Sequence, residues 1–202
     1  QTPTFYDENE KKTYPLIILL DGEYLMDPFR GTMSYTSFWD DLPQVIIVGV
    51  EHDGAEGRQD DVITYKSTGL PQGQGDQFYQ FIADELIPFM EKEYRVAPFK
   101  VVAGHNVTAG FLNFFLYKEK PTFNAYISFS PVMPEQMEVR VPQVLNDIDK
   151  KTYYYLATAD NDVKSIKKKV DTLNVNIKAI ENPNLNYKFE EFKGATHYSL
   201  VA

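Results

Sequence analysis

Short apolar runs without polar alternation recur along this chain, and segments of helical period fall between them. Tyr14–Leu20 (Tyr-Pro-Leu-Ile-Ile-Leu-Leu) ends at Asp21-Gly22; Gln44–Val50, Lys100–Ala103, Ala125–Phe129 and Tyr153–Leu156 repeat the pattern. A strand that is apolar on both sides of its pleat must be buried on both faces, as in a parallel sheet sandwiched by helices. Asp76–Glu93 carries Phe78, Phe81, Ile82, Leu86, Phe89 and Met90 at helical spacing, with a kink or boundary expected at Pro88. Val163, Ile166, Val170, Leu173, Ile177 and Ile180 step by three and four and predict a second amphipathic helix. Its Lys167-Lys168-Lys169 run reads as a solvated face. The expected fold class is α/β: a doubly wound, mostly parallel sheet with helices on both faces and ligands beyond the strands' carboxyl ends.

Composition narrows the partners. The 202 residues suit a single domain, and 43% hydrophobic content with 14 Tyr and 14 Phe suits a packed core. A net charge of −9 argues against a nucleic-acid partner or an anionic membrane, because both require a basic face. No apolar run is long enough to span a membrane, so no membrane insertion is expected. With no cysteine there is neither a disulfide nor a thiolate metal site, and three scattered histidines predict no metal; no cofactor is expected. The Gly69–Gly75 segment reads as a loop into the following helix, not as a phosphate cradle. The first residue is Gln1, which mildly favours a periplasmic or secreted protein.

The stretch that carries chemistry is Phe99–Gly110, a strand, a glycine, a His-Asn pair and small residues leading into an apolar helix. The G-x-S-x-G turn of α/β-hydrolases has this shape, with its nucleophilic serine on a strained strand-to-helix turn. Here Asn106 stands at the centre and Thr108 replaces the second glycine.

Further motifs coincide with one family. Tyr14–Gly22 resembles the "YPvlyllDG" strand of the esterase D-like branch of α/β-hydrolases, which includes ferric enterobactin and feruloyl esterases. Arg58 with Asp60 or Asp61 looks like its "R-x-x-D", and Phe81–Tyr94 is similar to its "FlxxELiPyIexxY" helix, which accounts for Pro88. Gly104-His105-Asn106 matches "GHS", Ser130-Pro131 matches "SP", and Gly194–Tyr198 resembles the segment holding the catalytic histidine. The resemblance runs from about Tyr14 to Leu200 and implies an α/β-hydrolase domain. It also implies β structure before Tyr14 and a helix after the histidine, both of which this chain is expected to lack.

Carried onto these positions, the resemblance implies a triad in the order Asn106, Asp162, His197, with Asp160 as the rival acid in the same loop. Both aspartates could instead cap the helix beginning near Val163. Oxyanion donors would be the backbone N–H of Val107 and one of Gly22 or Glu23. His105 is expected to pack or cap, and His52 has no assigned role.

A carboxamide offers histidine no proton equivalent to a serine hydroxyl's, so Asn106 cannot act as that nucleophile. It does suit the turn, tolerating positive φ and serving well as an N-cap. The Thr108 hydroxyl, two residues on, should point away from the site. Deamidation of Asn106 to aspartate would restore a nucleophile, but the β-branched Val107 should hinder it. The expected function is therefore a non-catalytic homologue that binds an acyl or aryl ester or a protein partner. The alternative is an ester hydrolase using a His197-activated water or a non-serine nucleophile.

Overall fold

A computed structural model describes residues 1–4, 6–8, 10–117 and 121–201. Among the described residues six strands, Tyr14–Leu19 (β1), Ile46–Gly49 (β2), Val96–His105 (β3), Ala125–Phe129 (β4), Thr152–Asn161 (β5) and Leu185–Thr196 (β6), form one sheet in the order β2-β1-β3-β4-β5-β6. Every neighbouring pair is parallel. The apolar runs thus sit where their lack of alternation places them, and Leu16, Ile18, Leu19 and Val102 are fully buried.

Two strands outrun their apolar cores. β3 begins at Val96, with its register against β1 shifting between Tyr14 and Leu16, opposite the stretch that contains Pro98. Proline has no N–H to give the ladder, so a strand that passes through one loses regular pairing there. β5 continues through Ala157–Asn161, read from sequence as a loop, because it keeps pairing with β6 across an irregularity between Ala159 and Asn161. Asp162 therefore stands at the end of a strand.

The sheet is covered on both faces. One core contains Ile17, Leu19, Ile47, Val101 and Ala103 beneath Gly22–Phe38 (α1), a helix that no clear apolar period announces and that buries only Gly22 and Leu25. Gly54–Asp60 (α2) buries no residue, and the larger core lies under Gln74–Gln80 (α3), Ile87–Glu93 (α4), Val107–Phe111 (α5), Met137–Asn146 (α6) and Lys164–Lys178 (α7). α7 buries Val170, Leu173 and Ile177, with Ile166 and Ile180 partly covered, but Val163 is exposed and lies outside the helix.

Pro88 is accommodated without a break. A π-helical turn, Phe81–Leu86, joins α3 to α4 and leaves Pro88 in the first turn of α4. Widening the turn ahead of a proline removes the demand for its missing N–H. The extra residue also rotates the later stripe: Ile87 and Met90 are buried, whereas Phe89 is 55% exposed.

Candidate active site beyond the carboxyl ends of the strands

β3 ends at His105, and the backbone reverses into α5 through Asn106, at φ 64° and ψ −118°. The turn is clamped. The Asn106 N–H donates to Phe129 O (3.0 Å), and its C=O accepts from Val132 N–H (2.9 Å) and Gly110 N–H (3.2 Å). Close packing needs glycine twice: a Cβ on Gly104 would stand 2.8 Å from Thr108, and one on Gly110 would stand 2.0 Å from Val132 O. Asn106 takes the expected N-cap position of α5, but its carboxamide makes no capping bond to the described residues, so its fit rests on backbone conformation.

The Thr108 hydroxyl faces inward. It donates to the Asp21 carboxylate, accepts from the His105 N–H (3.1 Å) and is fully buried. Threonine is accepted at this position because Gly104 presents no side chain to it.

β5 and β6 bring the acid and the histidine together. His197 Nδ1 donates to Asp162 Oδ1 at 2.8 Å, and both residues are buried. Asp162 also accepts from Ser130 Oγ, Thr158 Oγ1 (2.8 Å) and Val163 N–H (2.7 Å). Burial by itself would raise its pKa, but these four hydrogen bonds outweigh it and hold the carboxyl below the ordinary carboxylate range. Asp160 does not meet the histidine. It accepts the Gly194 N–H at 2.9 and 3.0 Å, pinning the end of β6 ahead of His197. The N-cap position of α7 is taken by Val163 with no side-chain hydrogen bond, so the capping reading fails for both aspartates.

His105 is more than packing. Its Nε2 donates to the His197 carbonyl (2.9 Å), its Nδ1 faces the Tyr24 hydroxyl (3.2 Å), and its ring centroid lies 4.8 Å from that of His197. Burial, partly opposed by the bond to the carbonyl, pushes its pKa down. Arg58 anchors the same layer. Its Nε donates to Asp21 (2.7 Å), and one terminal nitrogen donates to Tyr24 Oη (3.0 Å) and to His105 O (2.8 Å). Its partner is thus the buried Asp21, whereas Asp61 pairs with His52.

His52, unassigned from sequence, locks the loop after β1. Its Nδ1 meets Asp61 Oδ2 and its Nε2 meets Leu20 O, both at 2.6 Å, while its backbone N–H donates to the Glu23 carboxylate (2.6 Å). These partners lie up to 32 residues away, so no local spacing could mark them.

Of the expected oxyanion donors, Gly22 is excluded. Its N–H donates to Val50 O at 2.8 Å, and its Cα lies against Gly49 so closely that a Cβ would meet backbone at 2.8 Å. The N–H groups of Glu23 and Val107, each in the first turn of a helix, have no acceptor among the described residues.

These features match a known family. A family model described as "Putative esterase" covers residues 1–188. The chain belongs to that family. An uncharacterised protein from Capnocytophaga ochracea is 28% identical over 100% of this chain, with a TM-score of 0.88, and this chain spans 55% of its length. An IroE-like serine hydrolase from Shewanella oneidensis is 21% identical (TM-score 0.84; 100% of this chain, 70% of that one). Siderophore hydrolase EstA from Aspergillus nidulans is 16% identical (TM-score 0.74; 95% and 80%). The esterase-type α/β-hydrolase fold is therefore established, and no curated protein matches the sequence. Among the described residues of this esterase-family protein, no helix is long and apolar enough to cross a membrane.

Proposed function

We propose that this esterase-family domain binds an acyl or aryl ester of small-molecule size without performing serine hydrolysis on it. The observation that carries the reading is Asn106 on the strained turn after the central strand, next in sequence to His105, which touches His197 of the hydrogen-bonded Asp162–His197 pair. A carboxamide gives the histidine nothing to deprotonate, whereas the backbone donors of Val107 and Glu23 do not depend on any side chain. The likeness to a siderophore hydrolase and a ferulic acid esterase supports the ligand class. So does a cavity of about 580 Å³ lined by Leu25, Phe29, Met33, Phe129 and Leu200, since Phe129 also holds the Asn106 N–H.

A second reading follows from the histidine. With Nδ1 held by Asp162, His197 Nε2 has no partner among the described residues and could activate a water. Such turnover would be slow and would disappear in His197→Ala.

The deciding experiment is Asn106→Ser assayed on aryl esters. Activity that appears in this variant and is lost in Asn106→Ser/His197→Ala supports an intact site lacking only its nucleophile. Robust ester turnover by the parent protein that depends on His197 would overturn the non-catalytic reading.

A further inference from the structure

Asn106 carries a second possibility in its backbone. An asparagine closes to a cyclic imide when the next residue's backbone nitrogen bonds its side-chain Cγ. The ring contains Cγ, Cβ, Cα and C of the asparagine and that nitrogen, so Cβ must eclipse the nitrogen about the Cα–C bond. At an L-configured, tetrahedral Cα the Cβ sits about 120° from the residue's own nitrogen around this bond, so eclipse requires ψ near about −120°. Helical and extended residues lie far from that value. Asn106, with ψ −118°, lies on it.

We propose that Asn106 is a self-modification site, converted through a succinimide with Val107 into aspartate or isoaspartate. The Val107 nitrogen bonds Cγ as the Cγ–Nδ2 bond breaks. The Val107 amide proton ends on the departing nitrogen, and ammonia leaves. Water then opens the imide: cleavage of the new Cγ–N bond yields aspartate, and cleavage of the original Asn106–Val107 peptide bond yields isoaspartate.

The surroundings favour closure. The Val107 N–H has no acceptor among the described residues, and no hydrogen bond to them holds the Asn106 carboxamide. Meanwhile Phe129 O, Val132 N–H and Gly110 N–H hold the Asn106 backbone in the ring-closing conformation. In a flexible peptide the β-branched Val107 opposes the approach. Here the fold has already brought Cβ and the attacking nitrogen into eclipse about Cα–C, so that part of the orientational cost is met before reaction and only rotation about Cα–Cβ remains.

The test reads mass, not turnover, and so fails or succeeds independently of the ligand reading. The protein is incubated in heavy-oxygen water at neutral and mildly alkaline pH, both folded and in guanidinium, and the peptide spanning Phe99–Gly110 is mapped by fragmentation that separates the two isomers. Exposed Asn146 and Asn161, each followed by aspartate, serve as internal references. The expected result is conversion at position 106, with one heavy oxygen, faster in the folded protein on the order of tenfold or more. Either isomer supports the proposal. An intact Asn106 amide after the references have converted, or conversion no faster folded than unfolded, overturns it.

Discussion

Asp162 and Asp160 stand two positions apart and have opposite environments. Asp162 is buried and accepts four hydrogen bonds, whereas Asp160 is partly exposed and holds one backbone N–H. Asp162→Ala leaves Ser130, Thr158 and His197 donors without their acceptor, each unsatisfied buried group costing about 1–3 kcal/mol. The expected loss is at least about 2 kcal/mol by denaturant midpoint, against under about 1 kcal/mol for Asp160→Ala. Equal losses would mean that the acid layer is not organised around Asp162. The choice between them was open in the sequence because both follow the same apolar run. Pairing of β5 with β6, which sets where the strand ends, decides it.

Glycines show the same contrast between neighbouring elements. Gly110 lies in α5 against the segment leaving β4, and its missing Cβ is what admits Val132 O. Gly31, inside α1, is exposed, and a methyl group added there would have nothing within 4 Å. Gly110→Ala should therefore cost about 1–3 kcal/mol through overpacking, while Gly31→Ala should stabilise by about 0.5–1 kcal/mol through helix propensity. Thermal unfolding of the two variants in parallel checks both signs. At this scale the sequence stripe over Asp76–Glu93 was legible as helix but not as phase. Phe89 reads as core only if the helix keeps one period, and the π turn ahead of Pro88 does not.

Across the whole molecule, two site residues tie stability to pH in the same direction. His105 and Asp162 both have depressed pKa values in the fold, so the unfolded protein holds more protons through each window and stability rises with pH there. The His105 contribution is complete above its ordinary value of 6.5 and is lost as pH falls through its lower folded value. The Asp162 contribution is complete above 3.8 and is lost further into acid. Urea midpoints measured against pH should decline on the acid side, and His105→Gln should flatten the upper part of that decline. An unchanged profile would mean that the buried imidazole is not titrating against the fold.

Amino-acid order alone determined the parallel sheet, the turn after the central strand, the asparagine at its centre and the linear order of Asn106, Asp162 and His197. Each follows from local pattern: apolar runs, glycine spacing and a motif read along the sequence. Tertiary structure decided the rest, because hydrogen bonds between distant segments have no linear signature. It removed Gly22 from the donors by giving its N–H to Val50, assigned His52 to Asp61 and Leu20, and turned Thr108 toward Asp21. It also set the Asn106 ψ, which local sequence leaves free and three backbone hydrogen bonds hold in place.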